Sequence, residues 1–276
     1  WQQAKGETAQ RPPRFWVAPG FEVSQVRVAT PEEGSWIALA FDDAGRATIS
    51  REDTGLLRMT LAANHRSVAR VEPIPVDLPE CRGLLYVDGQ LYANANNAKT
   101  MFRLRLDDQG QVRDLERLRE FSGGVGHGRN DLALGPDRLL YSIHGDSVQP
   151  PAAPVVDRTS PLRESRRGSP KQEGSVVRTT LDGKTWEHFC TGLRNPYGIA
   201  FHPDGELFTY DADNEYDMGM PWYRATRIVH LVSGADYGWR VSQGRWPPDY
   251  PDRADVGPPT IDVGRGSPTS VMFGTK

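Results

Sequence analysis

The sequence predicts an all-β fold of the β-propeller type, because one strand–turn–strand unit recurs along the chain. Each unit has an apolar run, a tight polar turn and a second apolar run, and Asp-Gly supplies the positive φ that such turns require. The units lie at residues 41–48, 86–92, 134–141 and 201–208. A period of roughly 40–50 residues with short strands indicates four-stranded blades around an axis.

The spacing of the turns follows blade length except at one place. With Gly45, Gly89, Arg138 and Gly205 as equivalent turn positions, the spacings are 44, 49 and 67 residues. The third is longer because residues 148–174 are rich in Pro, Arg and Ser and lack apolar periodicity, which predicts a surface loop inserted into a blade. A β-sandwich is the alternative, but its strands recur faster, about every 8–12 residues.

Composition is typical of a single globular β domain, residues 1–276, with 37% hydrophobic residues and seven Trp. Helical periodicity is weak and confined to residues 114–121. A net charge of −3 provides no basic field for nucleic acid. The longest apolar run, Trp36–Phe41, is far shorter than the roughly 20 residues of a transmembrane helix. Cys81 and Cys190 have no metal-type spacing, so they either pair or stay free.

The final segment, residues 267–276, has the pattern of the opening strand of a further unit. We therefore expect the propeller domain to be cut within a repeat at its C-terminus. An unclosed propeller leaves an edge strand with unpaired main-chain groups, which natural proteins avoid.

The most specific motifs lie in the last third of the chain. They are Gly-Leu-Arg-Asn-Pro-Tyr-Gly at 192–198, Pro-Asp-Gly-Glu-Leu-Phe at 203–208 and Gly-Ala-Asp-Tyr-Gly-Trp at 234–239. The residues of these motifs and their order along the chain resemble those of the soluble quinoprotein glucose dehydrogenase and sorbosone dehydrogenase superfamily of six-bladed propellers. More narrowly, residues 208–224 are similar to the branch described as membrane-bound dehydrogenases of planctomycete-type bacteria.

The resemblance implies a fold, an activity and a location. The fold would be a six-bladed propeller, of which this chain covers about four to five blades. The activity would be hydride transfer from a sugar or alcohol to pyrroloquinoline quinone (PQQ), assisted by Ca²⁺, with a cytochrome c as electron acceptor. A periplasmic or extracellular location would follow from the family.

His127 is the candidate catalytic residue. It stands eight residues before Gly135, where the family carries the histidine that removes the proton of the sugar hydroxyl. An imidazole with a pKa near neutrality suits this role. The alternative is a polar residue in a glycine-rich loop. A second histidine, His144, follows the next strand and would either line the same mouth or be structural.

Arg194 and Asn195 match the pair that contacts the quinone in the family. A guanidinium offers a fork of donors to carboxylates, and an amide both donates and accepts. The alternative is that Asn195 and Pro196 only begin a turn. Trp239 and Tyr237 are assigned to blade packing.

The acidic loop at residues 211–217 offers oxygen ligands of the kind that Ca²⁺ prefers. In the family, calcium is held here by main-chain carbonyls of a Gly-Pro pair, whereas this chain has Asp213 and Asn214. The predicted metal ligands are therefore Asp211, Asp213 and Asn214. A second departure is Arg227, where the family commonly has an acidic residue.

Two other functions stay open at this point. One is a lactonase-like hydrolase in which Asp211, Asp213 and Asn195 hold Ca²⁺ and polarise an ester carbonyl. The other is a non-catalytic propeller that binds carbohydrate or protein, since propellers support many unrelated activities.

Overall fold

The computed structural model describes residues 15–149, 173–239, 256–267 and 269–274. These residues form sixteen strands and one short 3₁₀ helix, Glu215–Asp217. The strands are β1 (Trp36–Phe41), β2 (Ala47–Arg51), β3 (Thr54–Leu61), β4 (Val68–Pro79), β5 (Cys81–Val87), β6 (Gln90–Ala95), β7 (Thr100–Leu106), β8 (Val112–Glu120), β9 (Arg129–Leu134), β10 (Leu140–His144), β11 (Gly174–Thr179), β12 (Trp186–Leu193), β13 (Ile199–Phe201), β14 (Leu207–Asp211), β15 (Thr226–Leu231) and β16 (Ile261–Gly264).

Four consecutive strands form each of four antiparallel sheets, and these sheets are the blades of a propeller. The first strand of each blade contacts the first strand of the next, so β1, β5, β9 and β13 lie nearest the axis. This arrangement confirms the all-β propeller that the repeat predicts. Within the described part of the chain, no helix is long and apolar enough to cross a bilayer.

The four predicted turn positions are confirmed by their backbone conformation. Each lies between the first and second strands of a blade, with φ of 73° at Gly45, 71° at Gly89, 63° at Arg138 and 94° at Gly205. Arg138 adopts the left-handed conformation without being glycine, and its guanidinium pairs with Asp88. These turns define one face of the propeller. The opposite face carries the connections between blades and the loops between second and third strands.

The predicted insertion, residues 148–174, connects β10 to β11 inside the third blade. Residues 150–172 of it lie outside the described residues. The weak helical signal at residues 114–121 is wrong, because most of them belong to β8. That strand is the outermost of its blade and its residues are largely exposed, so a polar sequence is tolerated there.

The hydrophobic core lies between neighbouring blades. Ile143, Val176, Leu193 and Val229 are fully buried between the third and fourth blades. Burial of each such side chain stabilises the fold by about 1.5–3 kcal/mol. The two cysteines are buried in these layers and both are free. Burial raises the pKa of Cys81 to about 12, so its thiol is not a reactive thiolate at neutral pH.

The innermost strands approach so closely that one position excludes a side chain. A Cβ added to Gly83 of β5 would lie 2.4 Å from the main-chain oxygen of Asn130 in β9. We therefore expect Gly83→Ala to lower the free energy of unfolding by about 2–3 kcal/mol, since overpacking against backbone has no flexible side chain to absorb it.

Chemical denaturation of Gly83→Ala and Gly89→Ala provides the comparison. Gly89 has positive φ, but no atom lies within 4 Å of the position that a Cβ would take there, so only the conformational cost of about 1 kcal/mol applies. Equal destabilisation by the two substitutions would contradict close packing of β5 against β9.

Candidate functional site

A cavity of about 540 Å³ opens on the face opposite the first-to-second-strand turns. This volume is in the range of small-molecule sites. Its lining consists of His127, Arg194, Asn195, Ala212, Asp213, Glu215, Arg265, Gly266 and Ser267. Four of the six residues predicted from the sequence therefore meet in one cavity, although they come from three separate loops.

Propeller geometry explains why these loops meet. His127 lies in the connection from β8 to β9, and Arg194 and Asn195 lie in the connection from β12 to β13. Asp213 lies in the loop from β14 to β15. In an antiparallel blade these connections emerge on the same face, so the third and fourth blades present them side by side.

His127 is held by a carboxylate. Its Nδ1 lies 2.8 Å from Oδ1 of Asp146, whose other oxygen accepts a hydrogen bond of 2.7 Å from the indole N–H of Trp239. Because a carboxylate only accepts, Nδ1 carries the proton and Nε2 of the neutral ring is the basic nitrogen. Asp146 is 9% exposed, whereas the His127 side chain is 31% exposed. The hydrogen bond to Asp146 therefore holds the imidazole ring of His127, and the ring remains partly exposed at the cavity.

The sequence did not predict a role for Asp146, and it assigned Trp239 to packing. The signal for Asp146 was present as the Gly-Asp step at residues 145–146, next to His144. Trp239 had no local signal for its hydrogen bond, because its partner lies 93 residues away. Arg265, exposed at the cavity, was missed for the same reason of distance.

Arg194 connects the cavity to the acidic loop. Its guanidinium donates to the main-chain oxygen of Asp213 and lies 3.4 Å from Oδ1 of Asn214 and 3.6 Å from Glu215. The guanidinium carbon lies 5.6 Å from the ring centre of Trp239, a cation–π distance. Arg194 therefore orders residues 213–215 and contributes positive charge beside the cavity.

Asp211 has a structural role in this arrangement. Its Oδ1 accepts the main-chain N–H of Arg194 and of Asn195, each at 2.9 Å, and its Oδ2 accepts from Arg227 at 3.0 Å. Both side chains of the Asp211–Arg227 pair are almost fully buried. Arg227 also donates to the main-chain oxygen of Tyr237. The positive charge of Arg227 is therefore neutralised inside the protein by Asp211.

The predicted calcium ligands do not converge on one point. Both carboxylate oxygens of Asp211 accept hydrogen bonds from Arg194, Asn195 and Arg227. Oδ1 of Asn214 accepts from Arg194, and Oδ2 of Asp213 accepts from Tyr223 at 2.7 Å. Among the described residues, no group of three or more His, Cys, Asp or Glu side chains has the geometry of a metal site. As arranged, these three side chains do not fit a calcium ion. Asp213 and Glu215 alone present carboxylates at the cavity.

A second cavity, of about 510 Å³, lies along the axis between the innermost strands. Asp131 lines it and accepts hydrogen bonds from the main-chain N–H of Leu132 and Ile199. Burial raises the pKa of Asp131 to about 6, because the charged carboxylate is poorly solvated there. Arg82 of β5 and Tyr197, which lies in the connection before β13, also line this cavity.

His144 does not line the site. It is fully buried on β10, where Nε2 bonds to Oγ of Ser142 at 2.8 Å and the ring packs edge-on against Phe121. Burial, with a smaller contribution from Arg129, lowers the pKa of His144 to about 3. The structural alternative for this residue is therefore the correct one.

The fold and the site define a propeller with a histidine–carboxylate pair at a cavity lined by two arginines and two acidic residues. Comparison with known proteins agrees with the fold. No family model matches the chain. An alignment 130 positions long, which covers 41% of the chain, is 28% identical to quinoprotein glucose dehydrogenase B of Acinetobacter calcoaceticus. The alignment spans 26% of the curated relative.

Solved structures show the same architecture. The PQQ-bound aldose sugar dehydrogenase of Streptomyces coelicolor superposes with a TM-score of 0.61 at 19% identity, covering 87% of this chain and 72% of that one. A Thermus thermophilus oxidoreductase described as a glucose dehydrogenase gives 0.60 at 22% identity, covering 85% and 72%. The structural likeness shows the propeller fold, and the sequence match is a partial similarity to a quinoprotein glucose dehydrogenase. The narrower planctomycete branch stays a prediction.

Removal of the buried carboxylate provides a test of its structural role. We expect Asp211→Asn to lower the free energy of unfolding by about 3–5 kcal/mol, because Arg227 then carries an uncompensated buried charge. Asp88→Asn is the matched control, since Asp88 pairs with Arg138 at the surface and such pairs contribute about 0–1 kcal/mol. Urea denaturation measures both. A loss no larger than that of the control would contradict the assignment.

The depressed pKa of His144 predicts a pH dependence. The unfolded chain binds a proton near pH 6.5 whereas the folded chain does so only near pH 3, so stability is lost as pH falls through this window. We expect the wild-type protein to lose on the order of 1 kcal/mol per pH unit more than His144→Gln between these values. Urea denaturation at several pH values measures the difference, and equal slopes would contradict it.

Proposed function

We propose that this cavity is a dehydrogenase site in which a sugar or alcohol hydroxyl is oxidised with PQQ as the electron acceptor. The observation that carries the proposal is the hydrogen-bonded chain from Trp239 through Asp146 to Nδ1 of His127, a residue that lines the cavity. The sequence match with a quinoprotein glucose dehydrogenase supports it independently.

His127 would act as the general base. The Nε2 lone pair takes the hydroxyl proton while the carbon of the same C–OH group loses hydride, which leaves a carbonyl product. Asp146 stabilises the imidazolium that forms and keeps Nε2 pointed at the substrate. Trp239 holds the second oxygen of Asp146, so the carboxylate does not rotate away from the ring. When bound, PQQ supplies the two-electron acceptor for the hydride.

The cavity offers two guanidinium groups that suit an anionic planar cofactor, and it also carries the carboxylates of Asp213 and Glu215. PQQ is a tricarboxylate, and Arg194 and Arg265 are the two cationic side chains of the lining. The amide side chain of Asn195 is directed by a backbone that Asp211 fixes. Guanidinium groups bind carboxylates through paired hydrogen bonds, which makes arginine the appropriate residue type here.

The substrate class follows from the relatives. The similar proteins are described as glucose and aldose sugar dehydrogenases, so we propose an aldose oxidised at its anomeric hydroxyl. A cytochrome c as electron acceptor and a periplasmic or extracellular location belong to the same proposal and rest on the resemblance alone.

Calcium assistance, which the resemblance implies, is left out of this mechanism, because the three predicted ligands do not fit a calcium ion as arranged. Of the predicted ligands, only Asp213 faces the cavity, where Glu215 also lies. Loss of activity on chelation and its recovery with Ca²⁺ would support the metal, and activity that is unaffected by chelation would count against it.

One contact favours the dehydrogenase over the lactonase-like alternative. That alternative uses Asp211 as a metal ligand, and both oxygens of Asp211 are engaged by three protein donors. The non-catalytic binding propeller is the outcome to accept if neither activity is found.

Substitution of the base tests the mechanism. With PQQ and an aldose supplied, we expect dye reduction that falls about 10²–10⁴-fold in His127→Ala, because the general base is lost. Asp146→Asn should lower kcat in the same direction, since the amide no longer enforces the tautomer. His65→Ala is the matched control, because His65 is an exposed turn residue.

Cofactor binding is measured separately by titrating PQQ into the same variants. Binding that persists in His127→Ala but weakens in Arg194→Met supports the division of roles. Full dye reduction by His127→Ala, or lactone hydrolysis without quinone, would overturn the proposal.

A further inference from the structure

The loop that carries His127 has little conformational preference of its own. Residues 121–128 read Phe-Ser-Gly-Gly-Val-Gly-His-Gly, so half of the positions are glycine. Glycine loses more backbone entropy on ordering than any other residue. A base on such a loop needs restraint from outside it.

Arg129, the first residue of β9, supplies much of that restraint. Its side chain is fully buried. Nη1 donates to the main-chain oxygen of Gly124 at 2.8 Å, and Nη2 donates to those of Phe121 and Ser122, the latter at 2.9 Å. One guanidinium therefore holds three carbonyl groups of the loop.

Two further side chains complete the set. Asn96 donates to the main-chain oxygen of Val125 at 2.9 Å and accepts the N–H of Arg129 at 3.0 Å. Arg82 donates to the main-chain oxygen of Gly126 at 2.8 Å. Five carbonyl groups on the N-terminal side of His127 are thus held by three side chains: one from β9, one from β5 and one from the residue that follows β6.

The burial of Arg129 is costly in itself. Within the part of the chain that the structure describes, its guanidinium donates to carbonyl groups and not to a carboxylate. Burial lowers the pKa of Arg129 to about 10, which reflects poor solvation of the charge. A buried charge is a weak source of stability compared with apolar packing of the same volume. The contacts of the Arg129 guanidinium instead fix the conformation of the loop at residues 121–128.

We propose that Arg129 is a positioning residue for His127: it fixes the glycine loop so that the imidazole meets Asp146 on one side and the cavity on the other. The role in catalysis rests on the function proposed above, whereas the structural part does not. The fork geometry of the guanidinium is essential, because a lysine is a point charge that does not hold three divergent carbonyls in the same way.

Imidazole NMR of the cofactor-free protein tests the structural part. The His127 signal is identified by its loss in His127→Ala, and its Nδ1 proton should be protected from exchange by the Asp146 hydrogen bond. In Arg129→Met and Arg129→Lys we expect this proton to exchange at least tenfold faster. Arg105→Met, at an exposed position on β7, is the matched control and should leave the signal unchanged.

Kinetics with PQQ and an aldose test the catalytic part. We expect a fall in kcat of about 10–100-fold in Arg129→Lys with KM changed less than threefold, because misplacement by about 1 Å costs rate rather than substrate affinity. The rates are normalised to the concentration of folded protein, so a general loss of stability would not by itself lower kcat.

The outcomes separate the two proposals. Faster exchange in the Arg129 variants together with an inactive wild-type protein supports positioning and rejects the dehydrogenase. A folded Arg129→Lys protein with a wild-type Nδ1 proton overturns positioning, whatever the activity. If Arg129→Met does not fold, Arg129→Lys decides alone by the same criterion.

Discussion

The site depends on one buried carboxylate. Asp211 is the last residue of β14. Its side chain accepts hydrogen bonds from the main-chain N–H groups of Arg194 and Asn195, at the start of the connection from β12 to β13. Arg227, on the strand paired with β14, neutralises it. The direction in which Arg194 leaves the backbone, and with it the position of residues 213–215, follows from this pair. A hydrogen-bonded ion pair is suited to this purpose because it fixes direction as well as distance.

The fold could be predicted from the sequence because its signals are local. A tight turn is determined by a few adjacent residues, so Gly45, Gly89 and Gly205 identify three blades directly. Arg138 was located by the period rather than by residue type, and its φ of 63° shows that the repeat was the stronger signal. The polar strand β8 was harder, since an outer strand exposed to water lacks the alternating pattern that indicates β structure.

The candidate site could be predicted only in part, because its contacts are distant in sequence. His127, Arg194, Asn195 and Asp213 were found through motifs and meet in the cavity. Trp239 and Arg265 could be identified only after the blades were placed side by side, whereas Asp146 had a local signal in the Gly-Asp step at residues 145–146. The acidic composition of residues 211–217 predicts Asp211 as a metal ligand, because the sequence does not show that Arg227 lies against it. The residues that support a site are harder to predict than those that line it.

Trp239 bonds to Asp146 of the third blade and lies beside Arg194, which orders the fourth. The histidine–carboxylate pair therefore reaches its final geometry only when two adjacent blades have docked. An isolated blade would present its loops without a competent base. The indole is also a natural optical probe of that docking step, because its surroundings change from solvent to a carboxylate and a guanidinium.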